Sequence, residues 1–269
     1  TERVTRAEAT QRAGRAGRVA EGLCYRLWTR GEEGALSAHP PAEIEAADLA
    51  GLALELALWG AGPKEMPFLT PPNPGPYAEA RALLQMLGAL DGKGRITPHG
   101  KALAALPLHP RLAHMLTTAG PAAAPLAALM AERDPLALAA PVDLSLRLSA
   151  IRDPRGHSDR APHQAGRAAV ERIRTEAKRL AGQARRARKG ATSDATMAAL
   201  AYPDRIGLRR KGDAPRHVLS GGKGAVMPED DPLAGARLIV ATDLDGDRRE
   251  ARIRQAIRIE EAELRALFP

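Results

Sequence analysis

"QRAGRAGR" (residues 11–18) holds three arginines and one glutamine among two glycines. Arginine presents a planar fork of donors that matches a phosphate, and it stays charged at any working pH. Glycine between arginines lets the backbone approach a ligand closely. The preceding "TRAEAT" (5–10) suits a short helix, and the following "GLCYRLWT" (22–29) suits a strand. The arginines are therefore expected at a helix–loop junction feeding a strand, as in an α/β nucleotide domain. A solvated basic turn is the plain alternative.

The spacing of Gln11, Arg12, Gly14, Arg15, Gly17 and Arg18 resembles motif VI of superfamily 2 helicases, in its DEAH-box form. That motif belongs to the second RecA-like domain. The resemblance implies that Arg15 and Arg18 are arginine fingers on ATP phosphates held mainly by the first domain. It also implies that Gln11 helps orient the γ-phosphate and the attacking water. Gln11, Gly14, Arg15 and Arg18 would face the nucleotide, and Arg12 would be structural. The implied cofactors are ATP and Mg²⁺.

The totals bound this reading. The chain has 269 residues, enough for two or three domains, and a net charge of +8 that favours an anionic partner such as nucleic acid. Aromatics make up only 3%, against a base-stacking platform. A single cysteine, Cys24, excludes a disulfide framework and is expected as a small core residue of the 22–29 strand. No segment reads as a signal peptide or a membrane span, so the expectation is a cytoplasmic protein with no membrane partner. "TERVTRAEAT" reads as entering a domain near its end. No G-x-x-x-x-G-K-[ST] and no D-E-x-H occur. "SGGKGA" (220–225) has Ala225 where the Mg²⁺-binding hydroxyl belongs and is read as a hairpin turn. The expectation is half an ATP site, without the half that holds triphosphate and metal.

Asp48 is read as starting a helix with Leu49, Leu52, Leu56 and Trp59 inward, stopped by Gly60 and Gly62. "LTPPNPGP" (69–76) is a connector. "YAEARALLQMLGALD" (77–91) is an amphipathic helix with Leu83, Leu84, Leu87 and Leu90 inward. A short strand over 95–97 and a helix from Thr97–Pro98 complete a pattern that resembles a winged helix. Further helices are expected in 106–119, 125–136 and 141–152, the last capped by Asp143. "DPRGHSDRAPHQAG" (153–166) reads as a loop. Residues 167–190 read as a long basic helix with Val170, Ile173, Ala177, Leu180 and Ala184 on one face. His109 and His114 lack a third metal ligand at sensible spacing and are expected as surface or capping residues. From 192 onward a helix (193–201) precedes five short strands: 205–210, 216–220, 224–228, 236–244 and 249–259. These suggest a small β-barrel of OB-like type. "DLDGDRRE" (243–250) imitates a calcium loop, but Arg254 stands where a bidentate glutamate belongs, so a turn is expected.

"AYPDRIGLRR", "LSGGKGA" and "DPLAGARLIVATDLDGDRREARI" join "GLCYRLW", "EIEAADLAGLALELALWG", "LPLHPRLAHML" and "ERDPL". In combination they resemble HrpB-type bacterial ATP-dependent helicases, from motif VI to the last helix. The expected fold is multidomain and mainly α with a C-terminal β region. Residues 1–36 would end the second RecA-like domain, 37–104 form a winged helix, 105–190 a ratchet-like helical bundle, and 191–269 the barrel. Expected partners are the missing N-terminal RecA-like part and single-stranded nucleic acid, with RNA favoured. Arg185, Arg186, Arg188, Lys189, Arg209 and Arg210 are the expected strand contacts, and no metal site is expected. The alternative is a non-enzymatic nucleic-acid-binding module of winged helix plus β-barrel.

Overall fold

The helix carrying the arginine repeat starts at a reciprocal cap. Glu8 N–H donates to the Thr5 hydroxyl at 3.3 Å, and Thr5 N–H donates to Glu8 Oε2 at 2.8 Å. Two orphan donors of the first turn are thereby satisfied. Helix α1 runs Arg6–Ala16 and passes through Gly14 to its C-cap at Gly17. A mid-helix glycine costs about 1 kcal/mol relative to alanine. Gln11, Arg12, Gly14 and Arg15 thus lie on a continuous helix, and only Arg18 lies past its end.

The computed structural model describes residues 3–136, 140–160, 162–184, 193–247 and 250–269. Two compact units divide the chain: Thr1–Leu49 with Ala61–Ala80, and Ala50–Gly60 with Arg81–Pro269.

The first unit holds α1, α2 (Arg30–Gly34) and α3 (Glu43–Ala46). Thr29 and Glu32 cap α2 by the same reciprocal pair that starts α1. Its described residues contain no strand, so the strand expected over 22–29 does not form. A strand needs a ladder partner for its backbone groups, and none pairs with this segment. Leu23, Tyr25 and Leu27 are exposed. Cys24 is exposed as well, not a core residue.

In the second unit α4 (Ala50–Trp59) buries Ala53, Leu54 and Leu56 and ends where Gly60 takes φ +76. A residue with a Cβ is disfavoured in that left-handed region. Trp59, expected inward, sits on the last helical position and is 72% exposed. Helix α5 (Pro74–Met86) crosses the division between the units. Its C-terminal part and the turn after it bury Leu83, Leu84, Leu87 and Leu90 as the periodicity predicts. The strand expected over 95–97 reduces to one bridge, Leu90 to Ile96. Thr97 then caps α6 (Pro98–Ala104) by accepting Gly100 N–H at 3.0 Å.

Helices α7 (Pro110–Ala119), α8 (Ala124–Ala131), α9 (Leu144–Arg152), α10 (Pro154–Arg160), α11 (Arg167–Gln183) and α12 (Asp194–Ala201) build the bundle. Leu112, Met115, Leu116, Leu126, Leu144, Leu148, Ile173 and Leu180 share one core. α11 buries Val170, Ile173, Ala177 and Leu180 on one stripe as expected, but the helix expected over 167–190 ends at Gln183: Ala184, expected on the stripe, is its extended C-cap, and 185–190 lie outside the described residues. α10 replaces part of the loop expected over 153–166. Its start is an Asp-Pro pair: the Asp153 carboxylate accepts Gly156 N–H at 3.0 Å, and Pro154 occupies the first helical position, where no N–H is required.

Five strands follow: β1 (Ile206–Arg209), β2 (Arg216–Leu219), β3 (Gly224–Val226), β4 (Leu238–Leu244) and β5 (Glu250–Arg258). They close into a barrel in the order β1-β2-β3-β5-β4, with β3 and β5 parallel and the other pairs antiparallel. Closure leaves no free edge. Leu219, Ala225, Ile239, Ala241, Ile253 and Ala256 fill the interior. "SGGKGA" forms the β2–β3 turn, with Gly222 at φ +87. Helix α13 (Glu261–Leu267) closes the described chain. No helix among the described residues is long and apolar enough to cross a membrane.

Candidate functional sites

Gln11 and Arg15 stand one turn apart on α1, and side chains at that spacing share a helix face. Gly14 lies beside them, and Arg18 follows one residue past the C-cap. All four are exposed. Among the described residues neither Arg15 nor Arg18 forms an ion pair. Arg12 projects elsewhere: it is four residues from Glu8, whose carboxyl is held below its ordinary value first by the Thr5 hydrogen bonds and then by the Arg12 charge. This placement suits a structural role for Arg12.

The two glycines of the repeat have open space where a Cβ would go. Gly22 does not. A Cβ there would lie 1.9 Å from the Ala16 carbonyl oxygen, so the chain folds back against the end of α1 at a residue that must lack a side chain. Sequence reasoning passes over Gly22; its only local signal is a glycine a few residues after a helix end.

The expected strand contacts divide. Arg185, Arg186, Arg188 and Lys189 lie outside the described residues. Arg209 is half-buried; its Nε donates to the Ala234 carbonyl at 3.0 Å and its terminal nitrogen to the Asp213 carbonyl at 3.2 Å. Arg210 is exposed, and only its backbone N–H is engaged, with the Arg216 carbonyl at 2.8 Å.

His109 caps α7 by accepting Arg111 N–H at 3.2 Å, as expected of a capping histidine. His114 is not solitary. Its Nδ1 lies 2.8 Å from Nε2 of His99, with the rings edge to face. Burial first, and the neighbouring His99 second, push the His114 pKa down to about 4. Among the described residues no group of three or more histidine, cysteine or carboxylate side chains is placed to hold a metal.

Two buried arginines tie the bundle to the barrel, and sequence reasoning misses both. Arg111 on α7 grips Asp204 through two hydrogen bonds of 2.6 and 2.8 Å and donates to the Ala201 carbonyl at 3.1 Å. Tyr202 lies between Arg111 and Arg205, each guanidinium 5.0 Å from its ring centre. Burial raises the Tyr202 phenol despite those two cations. Arg147 on α9 is 2% exposed and bonds Asp134 at 2.9 Å and the Asp143 carbonyl at 3.0 Å. Gln255 of β5 donates to the same Asp134 carboxylate at 3.1 Å. The available signal was an arginine flanked by apolar residues, in "HPRLAHML" and "LSLRLSA", where a solvated cation has no reason to sit.

A model of the helicase associated domain (HA2), winged-helix, matches residues 80–108. ATP-dependent RNA helicase HrpB of Escherichia coli (strain K12) is 32% identical over 251 residues, covering 90% of this chain and 28% of that protein. The probable ATP-dependent RNA helicase DHX34 of Mus musculus is 39% identical over 114 residues, 42% of this chain and 10% of that one. Among solved structures, the crystal structure of the Escherichia coli DEAH/RHA helicase HrpB aligns with a TM-score of 0.74 at 31% identity, over 97% of this chain and 31% of its own. A second crystal structure, of the E. coli DExH-box NTPase HrpB, gives 0.71 at 32% identity over 98% and 31%. The chain spans less than a third of the length of these relatives.

Proposed function

We propose, from the premise that this chain is an HrpB-like DEAH/RHA helicase C-terminal region, that it serves a longer ATP-dependent RNA helicase in the cytoplasm by completing the ATP site and offering a basic surface to single-stranded RNA. The observation that carries the reading is the exposed face of Gln11 and Arg15 on α1, with Arg18 beyond it and neither arginine in an ion pair among the described residues.

That surface fits a triphosphate. Two exposed cations with forked donors are available, and Gly14 opposes no bulk to a close approach. ATP supplies the phosphoryl group to be transferred. Arg15 and Arg18 donate to oxygens on which charge builds as the terminal bond loosens, and an arginine so placed contributes about 10³–10⁵ in rate. Gln11 accepts and donates hydrogen bonds that orient the attacking water. In this reading the Mg²⁺ and most of the triphosphate are held by the N-terminal RecA-like partner, which would carry the P-loop and D-E-x-H that this sequence lacks. Arg185, Arg186, Arg188, Lys189 and Arg210, with the donors Arg209 has left, would neutralise backbone phosphates. Residues 1–36, 37–104, 105–190 and 191–269 are the working division into RecA-like end, winged helix, bundle and barrel.

Phosphate release from ATP by the whole protein tests the proposal. Arg15→Ala or Arg18→Ala should each remove most of the turnover and spare RNA binding without nucleotide. Near-normal turnover in both variants would refute the assignment. The chain by itself, lacking a P-loop, should release no phosphate above background.

A further inference from the structure

A cavity of about 720 Å³ opens between α9, α10 and α11, and no residue of the arginine repeat lines it. Its volume falls in the range of small-ligand sites. Four arginines line it: Arg152, Arg155, Arg167 and Arg174. Arg152 is already committed to Asp194 through two hydrogen bonds of 2.6 and 2.7 Å. Arg155, Arg167 and Arg174 form no ion pair among the described residues. Two carboxylates also border the cavity. Asp153 is engaged by Arg160 at 3.0 Å, whereas Glu171 has no cationic partner among the described residues.

The wall is built to hold its shape. His157 is 5% exposed and bonded on both ring nitrogens, Nδ1 with the Ser149 hydroxyl and Nε2 with the His163 carbonyl, each at 2.9 Å. A ring held at both nitrogens pins α10 to α9. The N-terminus of α11 adds a further donor set. Its N-cap, Gly166, has no side chain to satisfy the first-turn N–H groups. Those groups carry the positive end of the helix dipole and favour an anion. Three guanidiniums with no ion pair among the described residues thus border one concave space, and α11, whose start has no side-chain cap, contributes Arg167 and Arg174 to its wall.

We propose that this cavity takes a phosphate group of a single-stranded nucleic acid, as a fixed point on the path of the strand over the bundle. The inference rests on the proposed binding of single-stranded RNA by this chain, and it places one phosphate site within the described residues. Arginine fits a phosphodiester through two parallel donors, and three arginines from two helices fix where that phosphate sits.

Fluorescence anisotropy of a labelled single-stranded oligo(U) twelve-mer, titrated with the full chain across a salt series, tests it. The double variant Arg155→Gln/Arg174→Gln should bind about tenfold more weakly, and the slope of log K against log salt should fall by about 0.7, the share of the one single-strand phosphate no longer neutralised. Glu171→Gln should tighten binding, an outcome that damage to the fold does not produce. The charge-matched control Lys93→Gln/Arg133→Gln, outside the cavity, should leave the slope unchanged. If the wild type binds and the cavity double variant matches the control, the cavity is not the phosphate site, and the RNA-binding reading stands. If the wild type does not bind the twelve-mer, both fall. If only inorganic phosphate binds, in a manner the double variant abolishes, the cavity takes a free anion and its assignment to a strand is overturned.

Discussion

Arg111 on α7 and Asp204 at the entry to β1 are 93 residues apart in sequence and joined by two hydrogen bonds of 2.6 and 2.8 Å. The Arg111 side chain is 7% exposed, and that of Asp204 is 25%. The pair is an ionic link between the helical bundle and the barrel within the second unit.

Breaking such a pair from one side leaves a buried charge, at a cost of about 3–5 kcal/mol. Arg111→Ala should lower stability by about 3 kcal/mol, read from the urea midpoint. The double variant Arg111→Met/Asp204→Leu should recover part of the loss, because no unpaired charge remains. Equal destabilisation by the single and double variants would show that packing, not the charge, is what Arg111 supplies.

The same pair sets an acid limit. Burial raises the Asp204 carboxyl, but the Arg111 hydrogen bonds and charge, with Arg205, outweigh it and hold the group below its ordinary value. A depressed folded pKa means that the stability is complete above the unfolded value of about 3.9 and fades as pH falls through the lower folded value. His114 acts in a higher window. Its pKa of about 4 keeps it neutral in the fold, while the unfolded ring takes a proton near 6.5. Stability is therefore full above that value and declines as pH falls toward 4. Between pH 7 and 5 the decline should be about 2 kcal/mol. His114→Phe should flatten the urea-midpoint profile over that interval; an unchanged slope would contradict a buried, neutral His114.

Gly14 and Gly22 separate ligand from fold. A Cβ at Gly14 meets nothing within 4 Å, so Gly14→Ala should keep or raise thermal stability, since alanine is the better helix former by about 1 kcal/mol. Its effect on ATP turnover in the whole protein then reports how closely the nucleotide approaches α1, and a marked loss is expected. Gly22→Ala should lower both stability and turnover, because its Cβ would strike the Ala16 carbonyl and move the end of α1. Full turnover in Gly14→Ala would remove that residue from the nucleotide surface.

The barrel was legible because short apolar stretches of strand composition are each bounded by turn residues; β1 to β5 lie within the predicted stretches to a residue or two. The inward stripe of α11 was legible from its sustained period. The segment 22–29 has equally good strand composition and no strand, because pairing is not a property of one segment. α10 was hidden by Pro154 and Gly156, read as loop formers although Asp153–Pro154 is also a helix start. Arg111 with Asp204, and His114 with His99, were invisible for a different reason. Each residue is unremarkable alone, and only the packing of distant elements makes it a pair. Gln11, Arg15 and Arg18 stood out because their spacing is local and needs no tertiary contact.

The central claim is that Arg15 and Arg18 act on the charge that develops during phosphoryl transfer. The most direct measurement compares, in the whole protein, the affinity for ADP with aluminium fluoride, which mimics that state, against the affinity for a non-hydrolysable ATP analogue. In Arg15→Ala and Arg18→Ala the ground-state analogue should bind with little change, while affinity for the mimic should fall by about 10³ or more. Equal loss of both ligands, or no loss of either, would contradict the account.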